Sequence, residues 1–278
     1  MKNLVKRLIS GFLYWLPSTL LGRFIYQKII NAAMNQKKVV SYRSHQMTFA
    51  VPNGLNQYRI STFATKEPET LEWIDAIPEG SVLWDVGANI GLYTIYAAKA
   101  RNCRIFSFEP SVFNLELLAR NIFLNALQSQ VTIVPIALSD KLGSSMFKMS
   151  NTDWGGALST FDKNLDQNGD VMNEVFEYST IGISIDDAVK LLEISAPKFI
   201  KIDVDGIEHF ILRGGADVLN KVESVLVEIN DDFTAQAKQT EQHLKNAGLS
   251  LHRKCDLGGG GNQYNQWWIR GNSTLNRN

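Results

Sequence analysis

Short apolar runs alternate with segments of helical periodicity along most of the chain. Short apolar runs predict five strands, at 81–86, 104–108, 131–135, 199–204 and 224–229, and the last two of these are rich in β-branched residues. Between these runs, apolar residues recur three and four positions apart, which is typical of helices that cover a sheet. Alternating strands and helices predict an α/β fold with a doubly wound, mainly parallel, seven-stranded sheet of the Rossmann-like type. The last two strands, 249–254 and 266–270, flank the glycine run 258–261 and predict an antiparallel final hairpin.

A long interval separates the third predicted strand from the fourth. Residues 142–149 and 156–161 within it predict a β insertion, and 185–192 predicts the crossover helix. An insertion of this length is typical of a lid or a substrate platform. The alternative is a plain solvent-exposed hairpin, and in either case residues 153–156 are expected to form a mobile tip. We expect a helical and irregular N-terminal extension at 1–66 and one domain at 67–278, because no repeat or linker divides the chain further.

The first thirty residues have a pattern of their own. Lys2, Lys6 and Arg7 precede an apolar run over 8–21, which is shorter than the roughly 20 residues that span a bilayer and is interrupted by Pro17. Three interpretations stay open: a helical extension that packs on the domain or on a partner, a segment that lies on a membrane surface, and a secretory signal. The third lacks a convincing cleavage site of small residues.

Composition excludes several classes of function. The 278 residues contain 28 Lys and Arg and 28 Asp and Glu, so the chain has no net charge and no basic stripe that would recruit nucleic acid. Two cysteines rule out a disulfide framework, and neither they nor the four histidines have metal-ligand spacing. We therefore expect no protein-built metal site, although a magnesium-assisted route through Asp203 and Asp205 stays open.

The first predicted strand ends in a glycine-punctuated turn, Asp85-Val86-Gly87-Ala88-Asn89-Ile90-Gly91, and a helix begins directly after it. In the dinucleotide fingerprint a second glycine lets the backbone approach a pyrophosphate, but here Asn89 holds that place. Asp85 would also put negative charge where phosphates would lie. A carboxylate there favours a cationic ligand, and S-adenosylmethionine carries an ammonium and a sulfonium without a phosphate. An NAD(P)-dependent oxidoreductase explains the sheet but not Asn89.

Acidic residues follow the other predicted strands as well. Ligands of open parallel sheets bind beyond the carboxyl ends of the strands, and the residues there are Asp85, Glu109, Asp203, Asp205 and Glu228. Carboxylates that converge on one crevice repel each other unless the ligand brings positive charge or hydroxyl donors. Glu109 stands where an acid binds both ribose hydroxyls, 18 residues after the last glycine of the turn.

Lys201 falls in the middle of the fourth predicted strand, and a buried lysine needs a partner. We expect Glu228 on the neighbouring strand to be that partner. Asp203 and Asp205 could instead neutralise Lys201, or cap the helix predicted at 207–213. His209 on that helix is either a satisfied side chain or a base.

Several of these segments together resemble one family. They are residues 85–94, Phe108-Glu109-Pro110 with Asn114 and Asn121, Ala137-Leu138-Ser139-Asp140, and Lys201-Ile202-Asp203-Val204-Asp205-Gly206-Ile207-Glu208. In this order they resemble the FkbM-type S-adenosylmethionine-dependent methyltransferases, over about residues 80–230. The family usually has glutamate where Asp205 stands. The resemblance implies a class I methyltransferase fold and transfer of the sulfonium methyl, usually to oxygen, on a sugar, glycan, polyketide or similar small molecule.

Site residues follow from the resemblance by position. It places Asp85, Gly87, Asn89 and Gly91 around the methionine end of the cofactor, and Glu109 at the ribose. It places Ser139 or Asp140 at the adenine edge, and Asp203 near the methyl group. Because a hydroxyl acceptor loses a proton during attack, a base is expected; the candidates are Asp205, Asp203 and His209, with Asp205 favoured.

A non-catalytic S-adenosylmethionine-binding module is the alternative function. Nucleic-acid methylation is disfavoured by the neutral charge and by the absence of an amino-methylating D/N-P-P-Y motif after the fourth strand. Since the cofactor is made in the cytoplasm, we expect a cytoplasmic protein, with peripheral contact of residues 1–30 to the inner membrane face as an option.

Overall fold

The computed structural model of the protein describes residues 2–257, 261–271, 273 and 275. Most of the predicted glycine-run loop, 258–260, therefore lies outside the described residues. Two helices, a hairpin and a third helix come first: α1 (Lys2–Trp15), the 3-10 turn Leu16–Ser18, α2 (Leu20–Met34), β1 (Lys37–Tyr42), β2 (His45–Ala50) and α3 (Gly54–Ser61).

Strands and helices then alternate, as the sequence pattern predicts. The first group is α4 (Pro68–Ala76), β3 (Val82–Val86), α5 (Leu92–Arg101), β4 (Arg104–Phe108), α6 (Val112–Leu124) and β5 (Val131–Val134). The insertion follows, with β6 (Ala137–Ser139), β7 (Gly143–Met149), β8 (Ser159–Phe161), β9 (Phe176–Ser184) and α7 (Ile185–Leu191). The last group is β10 (Phe199–Ile202), α8 (Glu208–Arg213), α9 (Ala216–Leu219), β11 (Ser224–Asn230), α10 (Thr234–Asn246), β12 (Leu249–Asp256) and β13 (Gln263–Arg270).

A seven-stranded sheet forms the centre of the molecule, in the order β12-β13-β11-β10-β3-β4-β5. The five strands from β11 to β5 are parallel, and β13 and β12 add to them as an antiparallel hairpin. This confirms the predicted fold class, including the final hairpin. The strand order reverses between β3 and β10, which is where open α/β sheets bind their ligands.

The insertion forms a second sheet, in the order β6-β9-β7-β8. The sequence pattern predicts β7 and β8, although β8 is shorter than the predicted 156–161, and it does not predict β6 or β9. β6 has three residues, too few for a period to show, and β9 is mostly exposed along its first six residues, so its sequence lacks an apolar run. Its position in the fold is set by pairing with β7 across the long loop.

Residues of β2 and α3 belong to the same hydrophobic core as the central sheet. Met47, Phe49, Ile60 and Phe63 are buried together with Tyr96 of α5. Burial of these large apolar side chains fixes the hairpin and α3 against α5. The polar residues of α3 and of the loop after it are thereby held beside the glycine turn that begins α5.

The first two helices differ from the rest of the chain, because Gly22 is the only buried residue among those described in α1 and α2. No single helix in the described part of the chain has the length and apolar composition needed to cross a membrane. The pair 3–18 and 20–34 meets that criterion only when taken together, and its two halves are bent by 116°.

Candidate active site

The glycine turn after β3 has a backbone that few residues can adopt. Gly87, Asn89 and Gly91 have φ angles of 77°, 50° and 83°, in the left-handed region. A Cβ atom at Gly87 would lie 1.9 Å from the carbonyl oxygen of Asp203, just past the end of β10. Glycine at position 87 therefore allows the turn to lie against the end of β10, where the strand order reverses.

We expect Gly87→Ala to lower the free energy of unfolding by about 2–5 kcal/mol, because a left-handed alanine is strained and its methyl group would displace the backbone at Asp203. Urea unfolding measures this. The matched control is Gly80→Ala, since Gly80 has φ 76° with no atom within 4 Å of the added Cβ. It should cost only the backbone strain of about 1–2 kcal/mol. Equal losses in the two variants would contradict the close approach.

Glu109 follows β4 and connects two loops through its carboxylate. Oε2 accepts a hydrogen bond from the backbone N–H of Asn89 at 2.8 Å, and Oε1 accepts one from the backbone N–H of Ser111 at 2.8 Å. The residue is 4% exposed, and burial raises its pKa to about 7 in spite of these hydrogen bonds. A carboxylate held in this way is suited to accept hydrogen bonds from a pair of neighbouring hydroxyl groups.

A cavity of about 530 Å³ extends from the glycine turn past Glu109 to the start of β6. Five residues predicted to belong to the site line it: Gly87, Asn89, Glu109, Asp203 and Asp205. Its other end is apolar and is formed by Ile136, Ala137, Leu138, Phe147 and Phe161. An acid in the middle and an apolar end suit a ribose joined to a flat heterocycle.

Ser139 and Asp140, predicted at the adenine edge, do not line this cavity. Ser139 is buried in β6, and Asp140 forms an ion pair with Arg213. Leu138 lies on the cavity wall instead.

A second cavity, of about 520 Å³, lies on the other side of Gly87 and Asn89. Residues before the central sheet form much of its wall: Arg59, Thr62, Phe63, Lys66 and Glu67. The guanidinium of Arg59 donates to the carbonyl oxygen of Gly155 at 2.9 Å, and Lys66 pairs with Glu67 at 2.7 Å. Sequence reasoning missed this wall because no motif marks it. Only the packing of β2 and α3 on α5 brings it to the site.

Asp85 and Lys201 are neighbours in the sheet, in register on β3 and β10. Asp85 is 2% exposed and lines neither cavity; its Oδ2 accepts a hydrogen bond from the hydroxyl of Thr94. Lys201 Nζ donates to Asp203 Oδ2 at 2.8 Å, so the prediction that Glu228 is its partner is wrong. The positive charge beside Asp85 thus comes from the protein itself. Lys201, on the neighbouring strand β10, supplies this charge. The sequence of the glycine turn does not indicate which strand lies beside it.

This buried charge cluster has a defined electrostatic state. Burial opposes the charged form of Lys201, but Asp203 and Asp85 outweigh it and raise the lysine pKa. Burial likewise disfavours ionisation of Asp203, and the ammonium of Lys201 overcomes this and lowers the Asp203 pKa. Asp203 therefore stays ionised at the point where the two cavities meet.

Asp205 joins the end of β10 to the insertion. Its Oδ2 accepts hydrogen bonds from the backbone N–H groups of Leu158 at 2.8 Å and Ser159 at 3.2 Å. Burial and the negative charge of Asp203 raise its pKa to about 6. Glu228 lies farther along the same cleft, where burial and Asp203 raise its pKa well above the usual range. Asp205 is thus an acid that titrates near neutrality beside an ionised neighbour.

His209, the third candidate base, lies away from these cavities. It is 2% exposed, stacks on Phe210 with ring centroids 4.0 Å apart, and touches Phe233 edge-on at 5.7 Å. Burial lowers its pKa to about 4. It lines none of the site cavities. The structure therefore places His209 as a neutral side chain packed among aromatic rings.

The predicted mobile tip of the insertion is hydrogen-bonded into the site. The carbonyl oxygen of Gly156 accepts from the side-chain amides of Asn89 at 2.8 Å and Asn114 at 3.1 Å. The backbone N–H of Gly155 donates to Asn114 Oδ1 at 3.1 Å, and the carbonyl oxygen of Trp154 accepts from Asn56 at 2.8 Å. The tip therefore lies between α3 and the glycine turn and covers the first cavity, in contrast to the free loop expected from its glycines.

A wider cleft of about 1100 Å³ opens beside the two cavities and shares Gly87, Asn89 and Asp203 with both of them. Its remaining wall is mainly polar: Leu55, Tyr58, Arg59, Lys66, Ala157, Leu158, Gln167, Asp205, Glu228, Leu257 and Gln263. Within the described residues, no three or more of His, Cys, Asp and Glu form a group that could hold a metal ion.

Comparison with known families decides what this arrangement is. The family model for the methyltransferase FkbM domain matches residues 85–251, from the glycine turn into β12. The chain belongs to the FkbM methyltransferase family. The match confirms the resemblance seen in the motifs, and it identifies the protein as an S-adenosylmethionine-dependent methyltransferase.

The chain is also similar to individual proteins and solved structures. The hexuronic acid methyltransferase AglP of Haloferax volcanii is 25% identical over 206 residues, which cover 71% of this chain and 76% of AglP. Among solved structures, a Streptococcus mutans protein assigned provisionally as an S-adenosylmethionine-dependent methyltransferase is 10% identical, with a TM-score of 0.50, covering 84% of this chain and 55% of that one. TYW2 of M. jannaschii, in complex with S-adenosylmethionine, is 12% identical with a TM-score of 0.44, and the match covers 84% of this chain and 86% of that one.

Proposed function

We propose that the protein transfers the methyl group of S-adenosylmethionine to an oxygen atom of a sugar or glycan. The observation that carries this proposal is the wide cleft of about 1100 Å³, which meets both smaller cavities at Gly87, Asn89 and Asp203. A donor group at this border would face an acceptor in the cleft. The polar wall of the cleft favours an acceptor with many hydroxyl groups over an apolar one.

The residues present fit the cofactor. The space beside Gly87, which a Cβ atom would fill, lets the cofactor lie close to the backbone of the turn. The buried Glu109 carboxylate can accept hydrogen bonds from the ribose hydroxyls. We assign Glu109 to the ribose and Leu138 to the adenine. The cationic side chains of Arg59 and Lys66 on the cavity wall would pair with the methionine carboxylate of the cofactor. The carboxylate of Asp203 on the same wall would pair with the ammonium group.

The acceptor class draws support from the relative. AglP is named a hexuronic acid methyltransferase, and a hexuronic acid combines sugar hydroxyls with a carboxylate. The cleft of this protein is lined by polar side chains that can bind sugar hydroxyls, among them Gln167, Gln263 and Asp205. We therefore place acidic sugars first among the acceptors to be tested.

An acceptor screen tests this function. Purified protein is incubated with S-adenosylmethionine and with three acceptor groups: hexuronic acids and their glycans, neutral hexose glycans, and hydroxylated non-sugar aromatics. Formation of S-adenosylhomocysteine is followed, and mass spectrometry locates the methyl group. Turnover on the sugars alone supports the proposal. Turnover on the aromatics alone would contradict it, and tight cofactor binding without turnover on any acceptor would favour a non-catalytic binding module.

Methyl transfer requires two things of the protein: alignment of the acceptor with the methyl group, and one proton transfer. When bound, S-adenosylmethionine supplies an activated methyl group on a sulfonium. The protein must hold the acceptor oxygen in line with that group and take up the hydroxyl proton as the new bond forms. Asp205 borders both the cofactor cavity and the cleft, and its pKa of about 6 suits a base near neutral pH.

Asp205→Asn is expected to lower kcat at least tenfold while cofactor affinity changes little, because asparagine cannot take up the proton. Asparagine tolerates the left-handed backbone at this position, where φ is 61°. In the unaltered protein, kcat/KM for the acceptor should fall as the pH drops through about 6, since protonation removes the base. Steady-state rates at saturating cofactor from pH 5 to pH 8 measure both effects.

Asp162→Asn is the matched control. Asp162 lies in the insertion that Asp205 contacts. It pairs with Ser145 and Lys163, and it lines neither the cofactor cavities nor the cleft. Its replacement should leave kcat and the pH profile unchanged. If Asp205→Asn retained full turnover with the same acidic limb, Asp205 would be excluded as the base.

A further inference from the structure

Helix α1 is strongly amphipathic. At 100° per residue, its large apolar side chains fall within one half of the helix circumference. They are Leu4, Val5, Leu8, Ile9, Phe12, Leu13 and Trp15. The other half carries the basic residues Lys6 and Arg7 together with Asn3, Ser10, Gly11 and Tyr14. This division predicts a helix with one apolar face that needs a partner.

The structure leaves that face uncovered. Leu8 is 64% exposed, Phe12 56% and Trp15 60%, and at the start of α2 Leu20 is 86% and Leu21 70% exposed. The apolar side chains of α2 farther along, including Phe24 at 58%, continue the surface. Soluble monomers rarely expose contiguous apolar patches of this kind without a binding role. We call α1, the turn and α2 the N-terminal arm (residues 2–34).

The charge of this region points to the chemistry of the partner. Residues 1–66 contain ten Lys and Arg and no Asp or Glu, whereas residues 67–278 contain the other 18 Lys and Arg and all 28 Asp and Glu. The zero net charge of the chain thus conceals a positive N-terminal region and a negative remainder. A surface that complements the arm is apolar and anionic, and two arms placed face to face would repel each other.

Helix lengths determine how such a surface would be engaged. α1 has 14 residues and α2 has 15, so they are about 21 Å and 22 Å long, both shorter than the roughly 30 Å hydrocarbon core of a bilayer. The halves of the arm are bent by 116°. An amphipathic helix with bases on its polar face and with Trp, Phe and Leu on the other lies in the plane of a membrane surface.

We propose that the N-terminal arm binds in the plane of an anionic lipid bilayer, with the apolar face of α1 among the acyl chains and its basic residues at the headgroups. This proposal does not depend on the acceptor. Such binding would hold the methyltransferase domain beside the membrane.

Vesicle co-sedimentation of the full chain tests the proposal. We expect about tenfold stronger binding to phosphatidylcholine vesicles with one third phosphatidylglycerol than to phosphatidylcholine alone, and weaker binding at high salt. The double variant Leu8→Glu/Phe12→Glu should lose the binding. The matched control, Phe123→Glu/Val175→Glu, replaces apolar residues that are also exposed, at 77% and 69%, and should retain it. Unchanged cofactor affinity shows that each variant is folded.

A second measurement locates the arm. Brominated lipids should quench the fluorescence of the unaltered protein more than that of Trp15→Phe, because only the former places Trp15 among the acyl chains. Equal quenching, or equal vesicle binding by the Leu8→Glu/Phe12→Glu variant and its control, would overturn the proposal. The proposal would also be overturned if the unaltered chain did not bind vesicles and formed a dimer in solution that only the Leu8→Glu/Phe12→Glu variant converted to monomer. A second copy of the chain would then cover the apolar face.

Discussion

Replacing Glu109 with alanine is expected to weaken S-adenosylmethionine binding at least about 100-fold, or about 2.7 kcal/mol. Two effects add. The variant removes the carboxylate proposed to accept from both ribose hydroxyls, and each hydrogen bond to a charged group contributes about 1.5–3 kcal/mol. It also removes the acceptor of the Asn89 and Ser111 N–H groups, so the glycine turn loses its anchor. Isothermal titration calorimetry measures the dissociation constant directly.

Two comparisons make this result specific. Glu109→Gln keeps the shape and one acceptor oxygen, so its affinity should lie between those of the alanine variant and the unaltered protein. Glu116→Ala removes an acid from the neighbouring helix that pairs with Arg120, and it should leave affinity unchanged. Because the carboxylate is the form that binds hydroxyls and its pKa is about 7, affinity should also fall as the pH drops through about 7. Unchanged affinity in Glu109→Ala would refute the ribose assignment.

Lys201→Met is expected to lower the free energy of unfolding by about 3–5 kcal/mol, because it leaves the buried Asp85 and the partly buried Asp203 without their counter-charge. Methionine retains the volume of the lysine stem, so the loss reports on charge rather than on packing. Urea denaturation at pH 8 measures it. The matched control is Lys198→Met, one residue before β10, where the side chain is exposed and a change within about 0.5 kcal/mol is expected.

The pH dependence of this loss has a definite sign. Lys201 lowers the Asp203 pKa in the unaltered protein, so the stability that it provides is present above the ordinary aspartate pKa. In Lys201→Met the buried carboxyls are expected to have raised pKa values, and the folded state then gains protons as the pH falls. The stability difference between the two proteins should therefore be smaller at about pH 4 than at pH 8. A difference that grows on acidification would contradict the charge cluster.

Much of the site framework was predictable because it is encoded locally. The left-handed turn at Gly87, Asn89 and Gly91 needs residues that accept this backbone, so the sequence shows it without a structure. Glu109 could be placed by counting, since it follows the next strand of a parallel sheet. The same argument brought Asp203 and Asp205 to the crevice, and the structure finds both on the cavity wall.

Predictions failed where a contact depends on a distant element. His209 lies among aromatic rings that are contributed partly by Phe233, which is distant in sequence. The tip of the insertion is held at Gly156 by Asn89 and Asn114. None of these outcomes leaves a periodic or local signal, because each depends on which surfaces pack together.

Local sequence patterns are enough to predict the family, the alternation of strands and helices in the central sheet, the glycine turn and the acids at the strand ends, because motifs, backbone preferences and hydrophobic periodicity lie within short segments. Which acids face the cavities and which charges neutralise each other depends on how distant segments pack, so the folded structure is needed to show it. Such packing also brings Arg59 and Lys66, from a segment without a motif, to the second cavity. Burial of Met47, Phe49, Ile60 and Phe63 against α5 holds the segment that contains Arg59 and Lys66 in place. Packing between residues so far apart in the chain cannot be predicted from a short stretch of sequence.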